Sequence, residues 1–154
     1  MRNGRLELAD YVTLAQFREA VRRLCRESEG AARRRGLTPQ QHQALLSIKA
    51  TEGGEALSIG RLAERLGIRP HSTVELVDRL VQLRLVERRP DTLDHRRVRV
   101  FLTQRAQSVL DGLAEVHLRE LRDIRPALEV MLPRVERLSG AADGAATKLA
   151  DRAE

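Results

Sequence analysis

Apolar and polar positions recur along most of the chain with the period of a helix. Between Tyr11 and Arg35 the inward positions fall every three or four residues, which predicts an amphipathic helix: Leu14, Phe17, Val21, Leu24, Ser28 and Ala32. Cations followed by Gly36 are typical of a helix C-terminus. A second helix is predicted to begin at Thr38, which can cap its N-terminus, and Pro39, whose fixed φ suits the first turn.

Two short amphipathic segments follow, separated by a glycine turn. Ser58 is a candidate N-cap for the first segment, and Gly67 is placed to end it. The second segment has a predicted buried stripe of four residues: Thr73, Leu76, Val77 and Leu80. Two short helices joined through a glycine turn are typical of a helix-turn-helix.

Strand-like alternation appears after this pair of helices. Segments 85–89 and 98–103 alternate with a period of two around a charged, proline-containing tip, which predicts a hairpin. A helix pair followed by a hairpin indicates a winged helix. Residues 38–103 are therefore predicted to form a winged helix-turn-helix, with the helix-turn-helix at 58–84 and the wing at 86–102.

The last third of the chain returns to the helical period. A long helix is predicted from Gln104 to Arg125, and Pro126 is expected to end or kink it because proline removes a backbone donor. A shorter helix should follow, with a second break at Pro133. The small and polar segment 140–154 is predicted to be a flexible tail. Without an internal repeat or linker, the pattern favours a single domain.

Composition narrows the class of protein. A chain of 154 residues with 42% hydrophobic and 32% charged residues is typical of one soluble domain. No apolar run approaches the roughly 20 residues of a membrane span. The first residues also lack the apolar stretch of a secretory signal, so a cytoplasmic protein without membrane contact is expected.

The charge balance points toward an anionic partner. Lys and Arg total 28 against 22 acidic residues, a net charge of +6, and all but two of the cations are arginines. Arginine binds phosphate and guanine with two parallel hydrogen bonds, which lysine cannot do. A coding preference for arginine explains the same excess, so composition alone leaves the partner open.

No pattern of catalytic or metal-binding residues is evident. The four histidines do not fall at metal-ligand spacing, and neither a nucleophile–base pair nor a phosphate-binding glycine loop is present. We therefore expect no enzymatic activity, no metal and no cofactor.

The order of these segments resembles the MarR family of bacterial transcriptional regulators. The resemblance is carried by GLTPQQHQALLSI, LSIGRLAERLGIRPHSTVELVDRLVQLRLVER and DTLDHRRVRVFLT. It implies a mainly α fold, in which a winged helix-turn-helix is joined to a helical dimerisation region formed by helices in 11–35 and 104–139. It also implies a homodimer that binds a pseudo-palindromic operator in double-stranded DNA. Two positions depart from many relatives: Glu75 replaces an arginine or another donor, and Arg84 replaces a glycine.

The recognition helix holds the first set of candidate DNA contacts. In a helix-turn-helix, the N-terminal residues of the second helix face the base edges. The candidates here are Arg69, His71, Ser72 and Arg79. Ser72 has an alternative as the helix N-cap, and Arg79 has one as a solvated side chain. Glu75 can accept from a cytosine amino group, although a solvated or arginine-paired carboxylate is the favoured interpretation.

The wing holds the second set. Arg96 and Arg97 are candidates for the minor groove or its phosphates, where negative potential is strong. Asp94 is a candidate for orienting an arginine through a charge-assisted hydrogen bond. The alternative is a solvated hairpin whose surface ion pair contributes little to stability.

Control by a small molecule is the third expectation. Many relatives are repressors released by a ligand, and the corresponding wall here would include His42, Leu45 and Leu46, with Arg22 and Arg26 from the first helix. Their charge favours an aromatic or anionic effector.

Two further alternatives stay open. Cys25 suggests a redox sensor, but its mid-helix position beside Leu24 favours a small, partly buried apolar side chain. A winged helix can also serve as a protein-interaction module. Residues 58–103 carry ten arginines against six acids, which favours the DNA-binding interpretation.

Overall fold

The fold is mainly helical with one small sheet, as the sequence predicts. The computed structural model describes residues 6–51, 57–91 and 98–150, with side chains up to residue 136. Within those ranges the elements are α1 (Leu8–Arg34), α2 (Pro39–Lys49), β1 (Leu57–Ser58), α3 (Ile59–Leu66), α4 (Pro70–Gln82), β2 (Val86–Pro90), β3 (Val98–Leu102), α5 (Gln104–Asp111) and α6 (Ala114–Ala150).

The chain divides into two compact units. One comprises residues 28–117 and contains α2 to α5 with the sheet. The other comprises residues 1–27 and 118–154, and from Leu8 onward its described part is helical. Helices α1 and α6 each contribute residues to both units.

The apolar core of the 28–117 unit joins residues of α1 to α5 and of all three strands. The predicted buried stripe of α4 is confirmed, since Thr73, Val77 and Leu80 are fully buried and Leu76 nearly so. Around it lie side chains from the other helices and strands: Ala32, Leu37, Ala44, Leu45, Ile48, Leu57, Leu62, Leu85, Val86, Val100, Ala106 and Leu110. This shared core fixes α4 against α2 and α3, so its opposite face points to solvent.

The sheet contains a strand that the sequence pattern did not predict. The strand order is β1-β3-β2 and both pairings are antiparallel, with Leu57 opposite Val100 and Val86 opposite Leu102. With only two residues, β1 is too short to show an alternating pattern. It forms because β3 offers an edge to which it can bond.

Local capping signals behave as predicted. The Thr38 hydroxyl accepts from the Gln41 amide at 3.2 Å while the Gln41 side chain accepts from the Thr38 amide at 2.8 Å, a complete capping box. Ser58 accepts from the Arg61 amide at 3.3 Å and so caps α3. These short-range bonds define where the helices begin.

Three helices end in the same left-handed turn, at Gly36, Gly67 and Arg84. Their φ angles are 76°, 63° and 56°. In each case the residue after the left-handed position donates its amide to a carbonyl five residues back, as Leu85 N–H does to the Leu80 carbonyl at 2.9 Å. Glycine adopts this conformation without strain, whereas an arginine does not. Arg84 is therefore a strained position.

We expect Arg84→Gly to stabilise the protein. The substitution relieves left-handed strain of about 1–2 kcal/mol, partly offset by the greater chain entropy of unfolded glycine, which leaves about 0.5–1 kcal/mol. Thermal unfolding should show a midpoint about 1–4 °C higher. The matched control, Gly67→Ala, places a side chain in the same conformation and should lower the midpoint. A lower midpoint for Arg84→Gly would contradict the assignment of strain.

The C-terminal helices break at a different place from the one predicted. The expected end at Pro126 is wrong, since α6 continues through Pro126 and Pro133. Each proline removes one backbone hydrogen bond, and the bonds on either side suffice to continue a helix of this length. The break lies instead at Gly112, whose carbonyl accepts from the Arg35 guanidinium at 2.9 Å. Helix α6 also extends into segment 140–154, whose flexibility stays a prediction.

Candidate nucleic-acid interface

The N-terminus of α4 carries several of the predicted contact residues. Pro70 occupies the first helical position and Arg69 is the N-cap, with no side-chain capping hydrogen bond. The alternative role of Ser72 as N-cap is therefore wrong, because Pro70 starts the helix two residues earlier. The Arg69 carbonyl accepts from the Thr73 amide at 3.1 Å and closes the first turn.

This helix end has the electrostatics of an anion-binding site. The amides of His71 and Ser72 lie in the first turn, where a helix has no carbonyl partners for them, and no acidic residue lies in that turn. The helix dipole adds partial positive charge there. Arg69 and His71 are exposed and Ser72 is half-buried. The arrangement suits a phosphate or another acceptor.

The outward face of α4 continues from this end toward its C-terminus. Val74, Glu75 and Arg79 are exposed. The carboxylate of Glu75 lies 3.9 Å from the guanidinium of Arg79, with both side chains about two-thirds exposed. Such an exposed pair contributes little stability and can be exchanged for another partner. This face therefore offers an apolar group, an acceptor and a donor within two turns.

The predicted wing residues Asp94, Arg96 and Arg97 lie outside the described residues. At the base of the wing, sequence reasoning missed a different pair. Asp91 and Arg99 form a close ion pair whose side chains are only 5% and 12% exposed. A buried carboxylate holds a guanidinium firmly because neither group has bulk water as an alternative. Asp91 therefore orients Arg99 at the base of the wing. The orienting role expected of Asp94 stays a prediction.

A second missed residue, Arg88, connects the wing to the recognition helix. Its guanidinium lies 2.5 Å from the Asp78 carboxylate and donates to the Val74 carbonyl at 3.3 Å, so one β2 side chain holds two points of α4. The alternation of side chains along β2 indicates which face of the strand Arg88 lies on. Arg88 shares a strand face with Val86, which is buried. Arg88 therefore points back toward the helix.

The residues predicted to bind a ligand fall in both units. On α2, His42 and Leu45 are buried and Leu46 is half-buried. Leu45 belongs to the core of the 28–117 unit. Arg22 and Arg26 are exposed on α1, within the other unit. A ligand-binding role for these five residues stays a prediction.

The imidazole of His42 is engaged by another histidine. Its Nε2 lies 3.0 Å from Nε2 of His117, and His42 is 1% exposed. Burial lowers the pKa of His42 below its usual value, and the charge of His117 lowers this pKa further. Sequence reasoning missed this pair because 75 residues separate its members.

Cys25 is exposed, so the expectation of a partly buried side chain is wrong. The inward stripe of α1 runs through Leu24 and Ser28. Cys25 stands one residue, or about 100°, away from that stripe. A redox role for this thiol stays a prediction.

Two other findings concern the described residues. No set of three or more potential ligands among them is placed to hold a metal ion. None of their helices combines the length and apolar character that crossing a bilayer requires.

Comparison with known proteins gives one family match. Residues 35–97 match the model of the MarR family. The matched segment begins just before α2, includes α3, α4 and β2, and ends at the wing tip. A search of curated proteins finds no match.

Solved structures share the fold over most of the chain. RV1404 from Mycobacterium tuberculosis is 25% identical, with 92% of this chain and 97% of that chain covered and a TM-score of 0.63. The apo form of wild-type MarR from E. coli is 21% identical, with 85% and 98% covered and a TM-score of 0.62. The S. aureus MepR–DNA complex is 15% identical, with 89% and 99% covered and a TM-score of 0.65. The predicted winged helix-turn-helix fold is confirmed.

Proposed function

We propose that this chain, a member of the MarR family of transcription regulators, binds double-stranded DNA through α4 and the wing. The observation that carries the proposal is the N-terminus of α4, where first-turn amides, the helix dipole and the exposed Arg69 side chain converge on one point. Members of this family are not enzymes. The DNA complex of S. aureus MepR, which has the same fold, adds support.

Within this proposal, α4 reads the bases. His71 and Ser72 contact base edges near the helix N-terminus, and Arg69 binds a phosphate beside them. Arg79 binds phosphate once DNA displaces its weak pairing with Glu75. The freed carboxylate of Glu75 can then accept from a cytosine amino group.

The wing contacts the DNA beside this groove. Arg96 and Arg97 bind the minor groove or its phosphates, and Asp94 orients one of them. The described base of the wing supports this role. Arg99 and Asp91 anchor the hairpin internally, and Arg88 ties it to α4. The base of the wing is thereby held beside the recognition helix.

The binding species is a homodimer. In the unit of residues 1–27 and 118–154, large apolar side chains are exposed along α1 and α6: Leu8, Tyr11, Val12, Leu14, Leu118, Leu121, Leu128, Val130, Leu132 and Val135. A soluble monomer rarely exposes so many together. A second copy would cover them, and its twofold symmetry matches a pseudo-palindromic operator with half-sites about 10 base pairs apart.

The dimer acts as a repressor that an aromatic or anionic effector releases. An effector can shift the dimer toward a DNA-incompetent form only by binding that form more tightly. By linkage, operator DNA must weaken effector binding by the same factor. Titration of aromatic acids against the protein–operator complex tests this. An acid that releases DNA yet binds free and DNA-bound protein equally would contradict the mechanism.

Salt dependence is the test of DNA binding itself. We expect a duplex selected from a random library to lose roughly 10³–10⁵-fold in affinity between about 50 and 200 mM salt, because 6–10 phosphate contacts release counterions. Fluorescence anisotropy measures this loss, with a scrambled duplex as the control for sequence preference. Equal affinity for both duplexes would contradict sequence-specific recognition. An interaction that hardly changes with salt would favour a protein-interaction module.

A further inference from the structure

The His42–His117 pair has the geometry of a single linear hydrogen bond between imidazoles. The ring planes are within 7° of parallel, and the centroids are 5.1 Å apart while the Nε2 atoms are 3.0 Å apart. The centroid distance exceeds the nitrogen distance by roughly the width of one ring. The rings therefore meet edge to edge, with each Nε2 pointing at the other. A face-to-face stack would instead place all ring atoms at similar separations.

This geometry suits a shared proton. A zinc ion bound by both rings would form bonds of about 2.0–2.1 Å in a tetrahedral arrangement, with both lone pairs directed at the metal and not at each other. At 3.0 Å one Nε2–H donates to the lone pair of the other Nε2. The bond requires that one of the two Nε2 atoms carry no proton. Double protonation would place hydrogens on both atoms and two positive charges at this separation.

The pair joins two elements within the 28–117 unit. His42 lies on α2, which packs against α3 and α4 of the helix-turn-helix. His117 lies in the first turn of α6, four residues after Leu113, whose carbonyl accepts from the His117 amide at 3.0 Å. The imidazole bond is therefore a polar tie between the start of α6 and the helix that supports α4.

Several charged groups on the neighbouring elements have other partners. Arg65 of α3 donates to the Ser47 carbonyl at 3.1 Å, and Arg35 at the end of α1 donates to the Gly112 carbonyl. On β3, Arg99 pairs with Asp91. Arg61 pairs with Glu64 on α3, and Glu75 faces Arg79 on α4. Asp78 of α4 pairs with Arg88, and Asp111 of α5 accepts from Gln107. The pKa of His42 is lowered first by burial and then by the charge of His117.

We propose that the His42–His117 pair is a proton-operated latch, which holds α6 on α2 at neutral pH and opens on acidification. The pKa direction of His42 agrees with this. Because burial lowers the folded-state pKa of His42 below its unfolded value, the unfolded or opened chain binds the proton more readily. The stability from the closed latch is thus fully present above about pH 6.5 and is lost as the pH falls toward the folded pKa.

A functional consequence rests on the proposed DNA binding. If DNA selects the form with α2 and α4 in their closed arrangement, then protons and DNA compete through the latch. Acidification should weaken operator binding, and operator binding should lower proton uptake by the pair. The inferred latch therefore makes the regulator responsive to acid.

Unfolding as a function of pH tests the latch without DNA. We expect the equilibrium constant for urea unfolding of the wild type to rise by up to about tenfold for each unit by which the His42 pKa is depressed, between about pH 7.5 and 5. His117→Gln keeps a side chain that can hydrogen-bond to His42 but cannot be protonated, so this rise should shrink. The control His71→Gln removes an exposed histidine and should retain it. Equal slopes in the wild type and His117→Gln would overturn the latch.

Two measurements on the wild type keep the test independent of any variant. With ¹⁵N-labelled histidine, NMR should show a scalar coupling between the two Nε2 atoms at neutral pH, and this coupling should vanish on acidification. A coupling that is absent at neutral pH would overturn the proposal. Operator affinity should also fall several-fold from about pH 7.5 to 5.5. If the coupling is lost in acid but DNA affinity stays the same, the regulatory consequence is wrong. The proposed DNA binding would not be affected by that result, because its own test is the salt dependence.

Discussion

Arg69→Glu is expected to lower operator affinity at least about 30-fold while leaving the fold and the dimer intact. The substitution removes a cation from the uncapped N-terminus of α4 and places a carboxylate beside the phosphate site. A lost DNA contact costs about 1–3 kcal/mol. Each substitution occurs twice in a dimer, so the expected loss of binding free energy is about 2–6 kcal/mol. Anisotropy titration at fixed salt measures the change.

A matched charge reversal distinguishes a local contact from a loss of net charge. Arg105 on α5 is also exposed, and Arg105→Glu changes the net charge by the same amount. We expect this control to weaken binding only slightly, because distant surface charges are screened in physiological salt. Equal losses for the two variants would mean that overall charge, and not the α4 N-terminus, governs binding.

Replacing Leu121 and Leu132 by glutamate is expected to convert the protein to a monomer and abolish operator binding. These side chains are 66% and 55% exposed in the single chain. Each is worth about 1.5–3 kcal/mol when fully buried, and the dimer contains both of them twice. Introducing carboxylates at a contact that excludes water adds a desolvation cost. The dimer dissociation constant should therefore rise by several orders of magnitude.

Sedimentation velocity at about 10 μM protein measures this change, because a dimer whose dissociation constant is micromolar or lower is mostly assembled at that concentration. Leu83→Glu is the control, because Leu83 is 39% exposed but belongs to the 28–117 unit. It should leave the dimer unchanged. A double variant that sediments as a dimer would show that these α6 positions lie outside the interface. A wild type that is monomeric at this concentration would contradict the dimer itself.

The local features of the fold were predictable from the sequence. Thr38 with Gln41, Ser58, and the glycine turns at Gly36 and Gly67 each act on a backbone group within five residues. Their chemistry is therefore readable without knowing where the rest of the chain lies. The buried stripe of α4 follows in the same way from the helical period.

The candidate site was predictable only where its residues lie on such a local element. Arg69, His71 and Arg79 are exposed on or beside α4, as the helix-turn-helix pattern required. The wing tip, residues 92–97, lies outside the described residues. At its base, Asp91 and Arg88 escaped prediction because strand alternation identifies a face without identifying what lies against it.

Tertiary structure alone decided the contacts between residues that are distant in sequence. Arg35 donates to the Gly112 carbonyl, 77 residues away, at the point where α5 and α6 separate. Pro126 is the strongest local signal for a break, but it does not end α6. The His42–His117 bond spans 75 residues, and β1 exists only as a partner of β3. The sequence determined helices α1 to α4, the caps of α2 and α3 and the outward face of α4, because each depends on near neighbours. Which of those elements meet depends on how they share one core, and that information is distributed over the whole chain.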